Sequence, residues 1–409
     1  MLGSERIIKQ LGFRKKSSFI TSASLGVLIF STSLVCGATP RTPALSSEVL
    51  TQLPVKANDP QARQIRQYQS TLRQSPTDVQ TISDLAQLYF DIALEIGDPR
   101  YVGYAEALVM RYPSELPPEL LFVRGLLRQY RHAFPQAIED FGLALTAKPD
   151  MAEAHAWRAA IFLVQADYAK AKRECAALGR LRANTLQAGC SGLALAYNGN
   201  LALGYRELER GLAQSTNPSN RLWLFTRLAE VASWQGNLAL AEKNYRNALG
   251  LGLKDAYLLA AWSDFLLDQK RPKEVIQLLL PMQASDPLLL RLALAYQQLA
   301  APETQAISKK LEERFNATRF RGDSTHLAEE ARFQLYLAKD PSTALKLALA
   351  NYAAQKEPRD ARVLLEAAQA AKMPESASPV KQWLKESGFE GFHIDSQTGL
   401  VSFSKEAGK

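Results

Sequence analysis

Residues 118–151 read PELLFVRGLLRQYRHAFPQAIEDFGLALTAKPDM. The stretch is two short amphipathic helices joined by a tight turn. In the first, Leu121, Gly125 and Arg128 recur at helical spacing, with Leu126 and Leu127 filling in. Arg131-His132-Ala133 makes the turn. In the second, Phe134, Ala137, Phe141, Ala144 and Leu145 share one stripe, and Pro149, which cannot continue a helix, marks its end. Gly125 and Ala137 are small where two helices must nearly touch. Phe134 and Phe141 are large where the hairpin must fill a gap. Such a hairpin cannot bury its apolar face alone and needs neighbours of the same kind.

Those neighbours follow in the chain. The plan restarts at 152, 185, 222 and 256, at intervals of 34, 33, 37 and 34 residues. Ala159 and Phe162 are answered by Ala171, Cys175 and Leu178; Gly192 and Leu195 by Gly204, Leu208 and Gly211, across the turn Asn198-Gly199-Asn200. Ala229 is answered by Ala241, Tyr245 and Ala248 across Gln235-Gly236-Asn237, and Trp262 and Leu266 by Val275, Leu279 and Met282 across Gln269-Lys270-Arg271. Five units in one phase predict an all-α protein, a right-handed α-solenoid of stacked helix-turn-helix repeats. Before the first unit, Pro60–Gln74 reads as a short helix, and Asp78 caps a longer one paired with Tyr101–Arg111. After Pro287 come further pairs over 288–320 and 326–355, a helix over Asp360–Lys372 and a short closing helix over Pro379–Ser387. Terminal repeats of such arrays carry a polar outer face, and these irregular helices are expected to do the same. The tail, GFEGFHIDSQTGLVSF, is either a small hairpin or a loose end.

The small–large pattern, closed by proline within about 34 residues, resembles the tetratricopeptide repeat. The resemblance covers roughly Asp78–Pro358. Four phrases, Gly97-Asp98-Pro99-Arg100-Tyr101, Asp255-Ala256-Tyr257-Leu258-Leu259, Asp286-Pro287-Leu288-Leu289-Leu290-Arg291-Leu292-Ala293 and Glu329-Glu330-Ala331-Arg332-Phe333, are also similar to those of exported bacterial tetratricopeptide proteins of unknown specific function. That resemblance implies an interaction protein and supplies no catalytic residue.

Composition narrows the class. Of 409 residues 47% are hydrophobic, which argues against both a disordered chain and a polytopic membrane protein. The formal charge is +8, and residues 1–38 hold five basic side chains against Glu5. The remainder therefore carries a mild excess over a long chain, with no concentrated basic face to argue for nucleic acid. Arg14-Lys15-Lys16, the apolar run Phe19–Val35 and Val35-Cys36-Gly37-Ala38 read as an export signal cut after Ala38. The expected location is periplasmic or secreted. The rival is an uncleaved membrane anchor through residues 19–36, and a lipidated Cys36 is disfavoured by Val35 before it. Thr39–Asp59 reads as a linker, 60–387 as the solenoid and 388–409 as the tail.

Signatures of chemistry are sparse. His132, His155, His326 and His393 are scattered, without metal-ligand spacing. Gly189-Cys190-Ser191-Gly192 lies within a helical pattern, has no strand before it and has Leu193 where a nucleophile elbow needs glycine. Gly250-Leu251-Gly252 follows a helix and reads as a cap, not a phosphate loop. No catalytic residue, metal site or cofactor is assigned. Cys175 and Cys190 fall on helices of adjacent repeats that touch. They form either a disulfide worth about 3 kcal/mol or two buried thiols acting as small apolar groups.

In stacked hairpins the first helices line the concave face. By phase, Glu119, Phe122, Gln129, Glu153, Trp223, Thr226, Glu230, Trp234, Tyr257 and Asp264 are the candidate contacts for a protein or peptide partner. The aromatic members are equally suited to packing between helices. No lysine–asparagine carboxylate clamp stands at these positions. The expected function is a non-catalytic interaction scaffold of the bacterial cell envelope. The alternative is an enzyme acting on envelope polymers through a helical superstructure, against which the helices are expected to run to within about twenty residues of residue 409, leaving no room there for an appended catalytic domain.

Overall fold

Asp59 opens the first helix, its carboxylate accepting hydrogen bonds from the amides of Gln61 and Ala62. The computed structural model describes residues 59–320, 322, 325–394 and 401–402. The expected export signal, and the linker up to residue 58, lie outside the described residues. From Ala57 onward the chain forms one compact unit.

After α1 (Pro60–Gln74) the helices come in antiparallel pairs: α2/α3 (Val79–Ile96, Arg100–Met110), α4/α5 (Pro118–Tyr130, Phe134–Ala147) and α6/α7 (Ala152–Val164, Tyr168–Arg180). Then follow α8/α9 (Asn184–Tyr197, Leu201–Gln214), α10/α11 (Pro218–Trp234, Leu238–Leu249), α12/α13 (Ala256–Asp268, Pro272–Leu279) and α14/α15 (Asp286–Gln298, Glu303–Phe320). Each helix packs on its neighbours in sequence, and α2, α4, α6, α8, α10, α12 and α14 form the inner row. The fold is an α-solenoid of stacked helix-turn-helix hairpins.

Local chemistry sets the boundaries. Asp78, Asp167, Asn217, Asn237 and Asp255 each cap a helix by accepting from an amide three residues on. Pro60, Pro118 and Pro218 occupy first-turn positions, where no N–H is needed. Each turn between the helices of a pair places one residue in the left-handed region. This holds for Gly199 and Gly236, and equally for His132, Ala166 and Lys270. A side chain there costs on the order of 1 kcal/mol, so the packing of the two helices outweighs local preference.

Inside a hairpin the small–large rule is literal. A Cβ placed on Gly125 would lie 2.6 Å from the ring of Phe141. Phe141 has no exposed surface and tilts against Phe122, with ring centres 5.8 Å apart. Asp140, also buried, receives Arg124 and Arg128 from the facing helix, at 2.6 and 2.7 Å.

The row of hairpins curls until its start meets its later units. The end of α2 touches the start of α12, where Gly97 lies against Ser285 and Ala256 and Lys254 pairs with Glu95 at 3.8 Å. Beyond α15, the helix α16 (Leu327–Phe333), its π-helical continuation Gln334–Ala338, α17 (Pro341–Ala354), α18 (Pro358–Ala370) and α19 (Ser378–Ser387) complete the helices of the described residues. The expected polar outer face is present on α17, which exposes Ser342 and Lys346, and on α19, which exposes Lys381, Gln382, Lys385 and Glu386, whereas α16 and α18 are mostly covered. Ala331, Ala361, Leu364 and Ala367 are sealed within the core that α8–α14 build. The reason is compositional: α18 buries Val363, Leu364, Leu365, Ala367 and Ala368, too wide an apolar face for an end cap. The tail contributes two short strands, β1 (His393–Ile394) and β2 (Val401–Ser402), paired antiparallel with Ile394 opposite Val401. Residues 395–400 between them lie outside the described residues.

Two substitutions probe the hairpin rule. Phe141→Ala is expected to cost about 3–5 kcal/mol by opening a cavity. Gly125→Val is expected to cost about 1–3 kcal/mol by overpacking, against the helix propensity it gains. Combining Gly125→Ala with Phe141→Leu should cost less than the sum of the two single changes. Urea unfolding of the wild type, the single variants Gly125→Ala and Phe141→Leu and their combination measures this, and strict additivity would show that Gly125 and Phe141 do not share one space.

Candidate functional site at the inner face

The inner row is not open. Its helices end along a line, and the chain beyond α15 runs back over that line. The imidazole Nδ1 of His132, in the α4–α5 turn, lies 3.2 Å from the side-chain amide of Gln355. The amide of Lys356 donates to the carbonyl of Val164 at the end of α6 (2.7 Å). Tyr197, at the end of α8, donates to Glu357 (3.1 Å). Asp264 and Asp268, late in α12, receive Arg332 and Arg362. Further out, Trp383 of α19 donates its indole N–H to Tyr168 (2.7 Å), and Phe389 meets Trp234 edge-on at 5.6 Å.

Between these contacts lies a balanced ionic network. Arg227 donates to Glu230 (2.8 Å) and to the Tyr257 hydroxyl (2.7 Å), which donates in turn to Glu230 (2.6 Å). The guanidiniums of Arg227 and Arg359 sit 4.5 and 5.0 Å from the Tyr257 ring centre, at cation–π distance. Arg359 pairs with Glu357 at 3.0 Å. Asp264 takes Arg291 at 2.7 Å and Arg332 at 2.8 Å, and Arg291 also lies 3.8 Å from Glu329. Burial works to raise the Asp264 carboxyl, but Arg291 and Arg332 hold it well below the usual carboxylate range. The same competition, won by Arg359 and Arg227, lowers Glu357. Asp360 has no such excess of cations. Burial pushes it up to about 7 while Asn351 and the Glu357 amide donate to its oxygens. Arg227, Arg359, Arg291 and Arg332 face Glu230, Glu357, Glu329 and Asp264, so the centre locks the returning chain to the repeats.

The ten residues picked from the sequence divide accordingly. Glu230, Tyr257 and Asp264 come together in this network, and Trp234 sits under the C-terminal aromatic residues. Phe122 is a packing residue beside Phe141. Glu119 is tied to Lys148 of its own hairpin. Thr226 is buried and donates to the carbonyl of Leu222. Trp223 is half-buried over Gly189, where a side chain would collide with its ring. Gln129 is half-buried, and Glu153 is exposed. The partners on the returning chain, Arg332, Glu357, Arg359, Trp383 and Phe389, were not picked, because helical phase within a repeat says nothing of a segment 68 or more residues away. The aromatic cluster Trp383, Phe389, Phe392 beyond the last repeat was the available signal.

Cys175 and Cys190 are joined in a disulfide with Cα atoms 5.5 Å apart, linking α7 to α8. His155 lies 2.6 Å from Glu174, which Arg158 also reaches at 3.0 Å. Among the described residues, no group of three His, Cys, Asp or Glu side chains is placed to hold a metal ion, and no helix is long and apolar enough to cross a membrane.

No family model and no curated protein matches the chain. Among solved structures it is similar to the crystal structure of the APC/C hetero-tetramer Cut9–Hcn1, with 17% identity and a TM-score of 0.38 over 74% of this chain and 52% of that one. It is also similar to the human IFIT1 dimer with m7Gppp-AAAA, with 16% identity and a TM-score of 0.40 over 80% of this chain and 86% of that one. The chain thus spans about half the length of the first of these.

Two measurements follow from the network. Asp264→Ala strips the main partner from Arg291, whose side chain is 4% exposed. It is expected to cost about 3 kcal/mol, whereas Asp167→Ala, which breaks the exposed pair with Lys170 at 2.5 Å, should cost about 1 kcal/mol or less, most of it from the lost cap. Equal costs in urea unfolding would refute the distinction. The second concerns His132. Burial, reinforced by His326 and Arg359 and opposed by Glu329 and Glu357, lowers its imidazole to about 4. The unfolded chain therefore binds a proton between about pH 6.5 and 4 that the folded chain refuses. This residue costs nothing above that window, and its penalty grows as pH falls through it, to about 3 kcal/mol. Melting curves of wild type and His132→Asn from pH 7.5 to 4.5 should converge or cross on acidification; parallel curves would refute the assignment.

Proposed function

We propose that the chain is a non-catalytic interaction scaffold of the bacterial cell envelope, one that receives a protein or peptide segment on the inner face of its repeat array. The observation that supports this reading is that the inner row already receives such a segment. The segment joining α17 to α18, the helix α18 and the chain just after α19 seat on the ends of α4, α6, α8, α10 and α12 through backbone, aromatic and ionic contacts. A surface that accepts a chain segment in cis has the relief and the donors to accept one in trans. The envelope assignment is supported by the sequence of residues 1–38, with periplasmic or secreted location after cleavage near Ala38 and membrane association if residues 19–36 are retained. The partner is a protein or peptide; nothing in the charge pattern favours nucleic acid.

Crosslinking in intact cells, followed by identification of the attached protein, tests this. A partner held by the wild type should be lost from Trp234→Ala and Tyr257→Ala, each checked for folding by its melting curve. It should be kept by Leu143→Ala, whose side chain is exposed on α5. A partner indifferent to all three changes, or no partner at all, would remove the inner-face reading.

A further inference from the structure

The mild positive excess that remains after residue 38 is not spread evenly over the folded chain. Helices α7, α9 and α11 belong to the outer row, and each turns its fourth residue inward: Ala171, Gly204 and Ala241, all buried. The sixth residue lies about 200° further round the helix, so it points outward. It is Arg173 in α7, Arg206 in α9 and Lys243 in α11, and all three are exposed. They stand 33 and 37 residues apart, the spacing of the repeats that carry them. At the same position α5 has Glu139 and α13 has Gln277, so the row of cations has two ends.

The acids nearby are already engaged. On α9, α11 and α13, Glu207, Glu242 and Glu274 pair with Arg210, Arg246 and Arg271. On α7, Glu174 is buried against Arg158, and the capping Asp167 pairs with Lys170. Lys172, Arg173, Arg180, Arg206, Lys243 and Lys273 are left exposed without an acidic partner, and on these four helices Glu209 alone among the acids is unpaired. The cations stand among small exposed neighbours, Ala169, Ala176, Gly179, Ala202 and Ala239. The tyrosines of these helices turn inward, with Tyr205 and Tyr245 buried and Tyr168 half-buried. A nucleic-acid strand needs exposed rings on which to stack its bases, and these helices offer none. An anionic bilayer needs only charge, because its headgroups move laterally to meet the cations.

We propose that the outward side of α7, α9 and α11 docks on anionic phospholipid. Arg173, Arg206 and Lys243 are the contact row, with Lys172, Arg180 and Lys273 beside it, and the occupant is the phosphodiester headgroup layer of a bilayer. Because the three cations stand on three consecutive repeats, the outer row lies along the lipid and the inner row faces away from it. The contact is electrostatic, so salt weakens it. This surface is separate from the inner face, and its role depends neither on the scaffold reading nor on whether residues 19–36 are retained.

Co-sedimentation of the full chain with vesicles tests this, at about 0.1 M salt, where surface charges still act over about 10 Å. One set of vesicles is phosphatidylcholine, and the other adds about 30% phosphatidylglycerol to supply the negative surface. The readout is the ratio of binding to the anionic over the neutral vesicles, and residues 1–38 contribute to it equally in every variant. Arg173→Glu/Arg206→Glu/Lys243→Glu should lower the ratio at least about ten-fold. Lys309→Glu/Lys346→Glu/Lys372→Glu makes the same change in net charge at exposed lysines outside α7–α13, and should leave the ratio within about two-fold. Glu139→Lys extends the row by one repeat and should raise it. A ratio near one for the wild type overturns the proposal, as does an equal fall in the two triple variants, which would make net charge the cause. Fluorescein-labelled single-stranded or duplex DNA that binds through the same three cations, while the anionic vesicles do not, also overturns it and makes the surface a nucleic-acid face. If the first triple variant fails to fold by its melting curve, Glu139→Lys decides, and an unchanged ratio there overturns the proposal.

Discussion

A helix hairpin of this kind has an apolar face toward each neighbour, and only stacking removes both from water. Everything else in the molecule answers to that constraint. Gly125 against Phe141 sets how closely two helices approach, and the same small–large exchange recurs through the units. The left-handed residues in the turns, His132, Ala166 and Lys270 among them, are tolerated because the helices they join gain more by packing than the turn loses. The stack must also end. At the start, α1 lays Ile65, Tyr68 and Leu72 against the first core cluster. At the other end, the chain turns back and spends its remaining apolar surface on the inner row.

That return decides what the inner face is. Buried ion pairs contribute little net stability over apolar packing, because taking charges out of water offsets most of their attraction. Their effect here is positional. Arg332 and Arg362 fit only where Asp264 and Asp268 stand, and Glu357 only where Tyr197 and Arg359 reach it, so α16–α18 have one register on the array. The aromatic contacts of Trp383 and Phe389 contribute by burial and are less exacting in direction. The inner face is therefore graded, from a fixed ionic centre beside α12 to an aromatic seat at the ends of α8 and α10.

Most of the fold was legible because its cause is local. The hairpin boundaries follow from capping aspartates and asparagines, first-turn prolines and turn triplets, all within a few residues of the feature they set. α1, α2, α4 and α12 begin at the residues their sequence signals mark. The site was legible only in part. Glu230, Trp234, Tyr257 and Asp264 lie on the inner row, as their phase requires, but phase cannot tell a water-facing side chain from one that another part of the chain will cover. Phe122 and Thr226 show the other failure: a residue on the inner edge of one hairpin is also within reach of its own partner helix, and packing takes it first.

The sequence by itself determined the repeat, its period, the inner and outer sides of each helix and the adjacency of Cys175 and Cys190, since each depends on contacts between neighbours along the chain. The tertiary structure alone decided that the array curls until Gly97 meets Ser285, that α16 and α18 are core and not cap, and that Trp234 sits beneath Phe389. These are contacts between segments far apart in the chain. They depend on the small rotation from each hairpin to the next, summed over the array, and no residue encodes that sum.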